Sequence, residues 1–204
     1  PNVVYDLYYA SEILKLINAN ASNFIQINEL LQKFILKDGS FVSSYEELKQ
    51  NIANEDKIRT TVMAISILNK SNQKIPQNTV KWIRESWGKT QKNDANITKL
   101  IQLILALEII NKNENTDINS EIYPEKELFQ TYYNRVMGGI GSDETLLYDL
   151  QNCANLKKFF KFDSKLSMLL IQRLYDNQNR DGGWNIFLDN MSDEQGTEIA
   201  LSIL

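Results

Sequence analysis

The chain has 204 residues, of which 43% are hydrophobic, with eight glycines and only three prolines. This composition suits one all-helical domain that is large enough to bury a core. The formal net charge is -4 with both signs mixed, so there is no basic footprint and we expect no nucleic-acid partner. The most apolar stretch, residues 97–110, is interrupted by polar side chains and falls short of the roughly 18 apolar residues of a spanning helix. We therefore expect a soluble domain with no integral membrane segment.

Apolar residues recur at helical spacing along most of the chain, which predicts an all-α protein without a sheet. Some of these segments are apolar on nearly all sides, as a helix buried between two layers must be, whereas others carry a one-sided stripe. The predicted inner helices cover residues 8–16, 59–68, 97–110, 144–150 and 197–204. The predicted outer helices alternate with them and cover residues 27–36, 78–87, 126–136 and 165–175.

Polar residues between these segments indicate turns and caps. Ser44 with Glu47, and Ser192 with Gln195, have the spacing of a capping box, in which side chains satisfy the free amides at a helix start. The stretch 111–120 is the most polar in the chain and predicts an exposed loop.

Glycines mark a long-range repeat. Seven of the eight lie at four places: Gly39, Gly88, the trio Gly138, Gly139 and Gly141, and the pair Gly182 and Gly183. Between Gly39, Gly88, Gly139 and Gly183 the intervals are 49, 51 and 44 residues. A recurrence of this length is typical of stacked supersecondary units, here helical hairpins.

Two of these places share a short pattern in which Asp-Gly is followed by a small residue and an aromatic. The pattern stands at residues 38–41 and again at 181–184, each time after an apolar helical run. Glycine is favoured there because the chain leaves a helix through positive φ, which strains other residues. We expect the aromatic that follows, Phe41 or Trp184, to fold back onto the helix end as a structural plug.

The second of these corners carries a family resemblance. Residues 178–184 resemble the QW-type repeat of squalene and oxidosqualene cyclases, through Gln178, Asp181, Gly182, Gly183 and Trp184. Tyr8-Tyr9-Ala10, followed by Ile13, Leu14 and Leu16, resembles an inner helix of the protein prenyltransferase β-subunit repeats. The resemblance implies an α/α toroid, or a partial one, of stacked hairpins with inner and outer helix layers around a central cavity. We expect residues 1–204 to form a single domain of this type and, since the last inner helix has no partner after it, to be a fragment of a longer chain.

The catalytic motifs of these families do not occur in the sequence. Class II terpene cyclases use Asp-x-Asp-Asp, class I synthases use Asp-Asp-x-x-Asp, and prenyltransferases hold zinc with Asp, Cys and His. This chain has neither motif and no histidine, so we expect no metal, no cofactor and no terpene chemistry from it alone. The single Cys153 lacks an activating histidine and is predicted to be a small buried thiol.

The remaining acids have two interpretations. Asp56, Asp94, Asp193 and Glu194 precede predicted helices, where carboxylates cap free amides and suit the helix dipole. A terpene cyclase would place its acid in the same neighbourhood, so Asp56, Asp193 and Glu194 are the candidates for a catalytic acid. Capping is the favoured interpretation, because single acids without a partner to tune the pKa make poor general acids.

Aromatic side chains are the candidates for a ligand cavity. Tyr8, Tyr9, Trp82, Tyr132 and Tyr148 could stack on a ligand or stabilise a cation, although aromatics at helical spacing also serve as core. The predicted function is a non-catalytic binding or interaction domain that receives an isoprenoid-like hydrophobic molecule or a peptide in a concave cavity. One alternative is a fragment of a terpene cyclase or prenyltransferase-like enzyme whose catalytic residues lie outside this chain. The other is a ligand-binding toroid of the cobalamin-carrier type.

Overall fold

The computed structural model of the protein describes residues 2–50, 57–117, 122, 125–138, 146–160, 164–185 and 192–203. Within these ranges the chain is mostly helical and forms no strand beyond an isolated antiparallel bridge between Ile35 and Phe41. The helices are α1 Val3–Leu16, α2 Ile25–Leu31, α3 Tyr45–Gln50, α4 Lys57–Lys70, α5 Gln77–Lys89, α6 Ile97–Glu114, α7 Lys126–Met137, α8 Leu146–Leu156, α9 Ser164–Asp176 and α10 Glu194–Ile203. Short 3-10 turns cover Ala21–Phe24, Gln32–Phe34 and Asp94–Asn96. The all-α prediction is confirmed.

The predicted helices exist, but several of their ends are shifted. The helix predicted over residues 27–36 ends at Phe34, because Ile35 is extended and pairs with Phe41. The exposed loop predicted over residues 111–120 is wrong in its first part, since α6 continues to Glu114 and buries Asn111. Among the helices that the structure describes, none combines the length and apolar content needed to span a membrane.

The two predicted capping boxes have different outcomes. Ser44 precedes α3 and its hydroxyl accepts the Glu47 N–H at 3.3 Å, as predicted. The second box stays a prediction, because the Gln195 side chain lies outside the described residues; the Ser192 hydroxyl donates to Asp181 at 2.5 Å. At this helix start it is the Asp193 carboxylate that accepts an amide, the N–H of Gly196.

The chain divides into two compact units, residues 1–91 with 102–118, and residues 92–101 with 119–204, so that α6 contributes to both. In the first unit α1 packs chiefly against α4 and also contacts α2. In the second unit α10 packs chiefly against α8, while α7 and α9 contact α8 and each other.

Each unit has a buried apolar interior. Large buried side chains of the first unit include Leu31, Phe34, Phe41, Ile65, Ile67, Leu68, Ile83 and Leu107. Those of the second include Phe129, Tyr132, Tyr133, Leu150, Leu174, Trp184 and Ile199. Ile199 of α10 is buried, whereas Leu201 of the same helix is exposed.

The corner after α9 is held by a set of short-range hydrogen bonds. The Asn179 N–H donates to the Gly183 carbonyl at 2.8 Å, and the Gly182 N–H donates back to the Asn179 carbonyl at 2.9 Å. Gly182 has the expected positive φ of 87°. The Asp181 carboxylate accepts the Gly183 N–H at 3.1 Å, and the Gln178 amide donates to the Gly182 carbonyl at 2.5 Å.

Trp184 is the plug that the sequence predicts. Its side chain is 3% exposed, and its indole N–H donates to the Leu174 carbonyl at the end of α9, at 2.8 Å. Its backbone N–H donates to the Thr197 hydroxyl of α10 at 3.1 Å. The ring therefore joins the end of one helix to the start of the next.

The corner after α2 repeats this geometry. The Leu36 N–H donates to the Ser40 carbonyl at 2.8 Å, and the Gly39 N–H donates to the Leu36 carbonyl at 2.9 Å. Gly39 has a φ of 93°, and Asp38 accepts the Ser40 N–H at 2.9 Å. Phe41 is fully buried. We call residues 36–41 the first corner and residues 178–184 the second corner.

The glycine place at Gly88 does not form such a corner, and the third place is only partly described. Gly88 lies inside α5, and that helix ends at Lys89 because Thr90 is extended, with φ -70° and ψ 124°. The Thr90 N–H and hydroxyl both donate to the Ser86 carbonyl, at 2.9 and 2.8 Å. Gly138 follows α7 with an ordinary φ of -75°, while Gly139 and Gly141 lie outside the described residues. The expectation of a corner at Gly88 is therefore wrong.

Three other helices share a second type of ending, on asparagine. Asn18, Asn72 and Asn115 follow α1, α4 and α6 with φ of 52°, 53° and 54°. After α4, the Asn72 N–H donates to the Asn69 carbonyl at 3.1 Å and the Gln73 N–H to the Leu68 carbonyl at 2.8 Å. This pair of bonds is a Schellman motif, and α1 and α6 end with the equivalent pair. Asparagine tolerates the left-handed conformation better than most residues.

Candidate functional site

The five aromatic candidates are distributed over both units. Tyr8, Tyr9 and Trp82 belong to the first unit, and Tyr132 and Tyr148 to the second. Tyr8 and Tyr9 are half-buried and meet edge to face with their ring centroids 5.5 Å apart. A half-buried Trp82 packs against the apolar core of the first unit. Their role as a ligand-cavity lining stays a prediction.

Tyr132 has a structural role in the second unit. Its hydroxyl donates to Asp149 at 2.7 Å and accepts the Asn152 amide at 3.3 Å, and Asn152 also donates to the Thr98 hydroxyl at 3.3 Å. Burial, reinforced by the hydrogen bond to Asp149, raises the pKa of Tyr132 far above its usual range. The phenol therefore keeps its proton at neutral pH and joins α7 to α8 as a donor.

Cys153 is fully buried in α8, as predicted. Burial, together with the charge of Asp149, raises the pKa of the thiol. Since the thiolate is the reactive form, this environment makes Cys153 a packing residue and a poor nucleophile.

The acid candidates that the structure describes lie at helix starts. Asp193 caps α10 through the Gly196 N–H, and its own N–H donates to the Trp184 carbonyl at 3.0 Å. Glu194 is the first residue of α10, and Asp56 lies outside the described residues. Asp94 forms an ion pair with Arg135. In the described part of the chain, no three His, Cys, Asp or Glu side chains come together as metal ligands.

An open pocket of about 430 Å³ lies in the first unit, where the ends of three helices meet. Its walls come from the end of α4 and the turn after it, the first turn of α5 and the last turn of α6. The lining residues are Asn69, Asn72, Gln73, Lys74, Ile75, Gln77, Val80, Ile110, Asn113 and Glu114. We call this site the amide pocket, because five of its ten lining residues are asparagine or glutamine.

Three buried aliphatic side chains form the base of the amide pocket. Ile75 and Val80 are each 5% exposed and Ile110 is 1% exposed, and all three belong to the apolar core of this unit. The Schellman turn after α4 explains the polar edge above them. It reverses the chain so that residues 72–74 stay in solvent while Ile75 returns to the core.

The first corner fixes the α5 side of the pocket. The Thr79 hydroxyl donates to the Gly39 carbonyl at 2.8 Å in a fully buried bond. The Gly39 Cα faces the α5 backbone so closely that an added Cβ would lie 2.3 Å from the Asn78 carbonyl carbon. Because Gln77 and Val80 flank these contacts in the chain, the corner positions both of them at the pocket.

Two charged side chains line the pocket, and their surroundings differ. Glu114 is paired with Arg84 at 2.7 Å. Arg84 also donates to the Asn111 carboxamide oxygen at 3.3 Å, so the pair is tied to a buried residue of α6. Lys74 is exposed, and it forms no ion pair with any residue that the structure describes.

The chemistry of the amide pocket is that of recognition. Each carboxamide offers donors and an acceptor, the base offers apolar surface, and Lys74 offers one positive charge. Inspection of the sequence missed this site because its residues come from three separate helix ends. The available signal was the asparagine at the ends of α4 and α6, in Ser71-Asn72-Gln73 and Glu114-Asn115-Thr116.

Comparison with known proteins leaves the site to be interpreted from its own chemistry. No protein-family model matches the chain, and neither curated proteins nor solved structures contain a significant match to it.

Proposed function

We propose that the protein is a helical-repeat binding module whose ligand is a polypeptide segment seated in the amide pocket. The observation that carries this proposal is the lining of the pocket, with five carboxamides around three buried aliphatic side chains. An extended peptide presents N–H and C=O groups in alternation, and carboxamides pair with both. Its side chains supply apolar groups for the base of the pocket.

The same lining disfavours an isoprenoid, the other ligand class that the sequence suggests. A hydrocarbon chain would remove the carboxamides from water without replacing their hydrogen bonds, at a cost of about 1–3 kcal/mol for each buried unsatisfied group. No aromatic ring is present among the residues that line the pocket, so stacking on a planar or sugar-like ligand is not offered there.

The α/α toroid of the squalene cyclase and prenyltransferase superfamily is part of the same proposal. It is supported by the packing of predicted inner helices on each other, α1 on α4 in the first unit and α8 on α10 in the second. It is also supported by two corners of equal geometry that each follow a predicted outer helix. The enzyme-fragment and cobalamin-carrier alternatives stay predictions from the sequence. No contact of the described residues favours either.

The test is selection from a random peptide library on the immobilised 204-residue protein, followed by affinity measurements with fluorescent peptides. Gln77 is an exposed lining residue, so Gln77→Trp fills the pocket without disturbing the core. Lys89→Trp is the matched control, because Lys89 lies at the far end of the same helix and is also exposed.

We expect the selected peptides to bind the parent protein and Lys89→Trp alike and to lose affinity at least tenfold for Gln77→Trp. Farnesyl diphosphate, geranylgeranyl diphosphate and cobalamin serve as competing ligands in the same assay. Failure to enrich any peptide, equal binding by Gln77→Trp, or saturable binding of one of these three molecules instead would overturn the proposal.

A further inference from the structure

We propose that the amide pocket selects acidic peptides, in which an aspartate or glutamate side chain of the ligand pairs with Lys74. This inference rests on the proposed function, since it states which peptides the same pocket takes. It depends on the balance of charge within the pocket and on the way Lys74 is held.

The charge balance follows from two described contacts. The carboxylate of Glu114 is already neutralised by Arg84 at 2.7 Å, and the Arg84 guanidinium is held in turn by the buried Asn111. Lys74 has no such partner among the described residues. The charge left over at the pocket is therefore positive, and a ligand carboxylate is its complement.

Lys74 is also held by its neighbours at the edge of the pocket. The residue before it, Gln73, donates its N–H to the Leu68 carbonyl at 2.8 Å, and the residue after it, Ile75, is buried. These two contacts fix the backbone of Lys74 while its side chain reaches into solvent. The start of α5 lies three residues later, and the partial charge at a helix N-terminus is positive, like that of the lysine.

One exposed ion pair has a modest strength. Because Lys74 is exposed, the expected preference for acid over amide is roughly two- to fivefold at low ionic strength. It should decrease as salt is added, since exposed charges are screened within about 10 Å at 0.1 M salt. The effect is small enough to require matched peptides and matched protein variants.

The experiment uses the most enriched peptide from the library and its analogue with each Asp changed to Asn and each Glu to Gln. Both peptides carry an amidated C-terminus, so that the chain end contributes no charge. Affinities are measured by fluorescence anisotropy at low and at physiological salt for the parent protein, Lys74→Gln and Lys74→Glu. Lys81→Gln and Lys81→Glu are the controls, because Lys81 is an exposed residue of α5 outside the pocket.

We expect the acidic peptide to bind the parent protein two to five times more tightly than its neutral analogue, in line with one exposed ion pair. Lys74→Gln should abolish this preference and Lys74→Glu should reverse it, whereas both Lys81 variants should keep it. If peptides bind but the two analogues are equal, or if the Lys81 variants lose the preference as well, the inference is wrong and the proposed function stands. If no peptide binds, both are wrong.

Discussion

The first and second corners have the same backbone hydrogen bonds in different surroundings. Comparing them distinguishes the glycine requirement set by backbone conformation from the one set by packing against neighbouring residues. Gly39 and Gly182 have nearly equal φ, 93° and 87°. A Cβ on Gly39 would lie 2.3 Å from the backbone of Asn78, whereas a Cβ on Gly182 would meet nothing within 4 Å. Gly39 is thus required by both conformation and packing, and Gly182 by conformation alone.

In both corners a serine hydroxyl donates to the aspartate, but the serine comes from a different position in the chain. In the first, Ser40 itself donates to the corner aspartate Asp38 at 2.7 Å. In the second, the equivalent position is Gly183, and the hydroxyl that donates to Asp181 at 2.5 Å comes from Ser192. A Cβ on Gly183 would lie 2.5 Å from the Ser192 hydroxyl oxygen. The hydrogen bond to the aspartate is therefore kept while the residue that makes it changes.

The largest effects are expected from truncating the two plugs. Phe41→Ala and Trp184→Ala should each lower the free energy of unfolding by about 3–5 kcal/mol, because both rings are buried. Trp184→Phe keeps most of the packing but removes the donor to the Leu174 carbonyl, a loss of about 0.5–1.5 kcal/mol for the hydrogen bond. Denaturant titration measures all three, and an unchanged midpoint for Trp184→Ala would show that its ring is not buried.

Substituting the corner glycines by alanine should give the clearest difference in stability between the two corners. Gly182→Ala should cost about 1–2 kcal/mol, the strain of a left-handed residue with a Cβ. Gly39→Ala adds a clash with the α5 backbone, and overpacking costs about 1–3 kcal/mol more. Thermal and denaturant unfolding of the two variants tests this order, with Gly88→Ala as a helical control. Equal losses at Gly39 and Gly182 would contradict the packing difference.

The threonines that accept the plug N–H groups should show a smaller contrast. Thr61, which accepts from Phe41 at 3.0 Å, is fully buried, whereas Thr197, which accepts from Trp184 at 3.1 Å, is partly exposed. Thr61→Val should cost about 1–3 kcal/mol because a buried N–H loses its partner. Thr197→Val should cost less, since water can reach that N–H. Thr61→Ser and Thr197→Ser keep the hydroxyl and should restore most of the stability in equilibrium unfolding.

The smallest expected effect is on the way stability depends on acidic pH. Hydrogen bonds from Ser192 and the Gly183 N–H lower the pKa of Asp181 below its ordinary 3.8. At Asp38 burial raises the pKa, but the hydroxyl and N–H of Ser40 outweigh it and the net shift is also downward. A carboxyl whose pKa is lower in the folded state contributes stability above its unfolded pKa and loses it as the pH falls through the folded value.

Stability should therefore fall with acidification below about pH 4, where the unfolded chain begins to bind protons that these two folded carboxylates resist. Asp38→Asn and Asp181→Asn should each make this fall less steep in unfolding titrations carried out from pH 5 to pH 2. An unchanged slope in the double variant would mean that other carboxylates carry the acid sensitivity.

Local features of the chain could be predicted well from the sequence. Helices α4, α5 and α7 lie where the spacing of apolar residues predicts them. A helix repeats every 3.6 residues, so its buried side recurs in the sequence as apolar residues three or four positions apart. The left-handed glycines and the buried plugs follow from the same local logic, since only glycine enters that region without strain. The cap by Ser44 follows from the sequence as well. No local pattern shows that the Ser192 hydroxyl donates to an aspartate eleven residues away.

By itself, then, the sequence determined most of the helices and the two corner turns, which depend chiefly on interactions within a few residues. The tertiary structure alone decided which corner glycine is also packed, how the aromatic candidates are shared between the units, and where an amide pocket forms. That pocket joins residues 69–80, from the end of α4 to the start of α5, to residues 110–114 at the end of α6, a segment that begins thirty residues further along the chain. No local pattern encodes such a meeting, because it depends on how the helices pack and on the first corner that holds α5 in place.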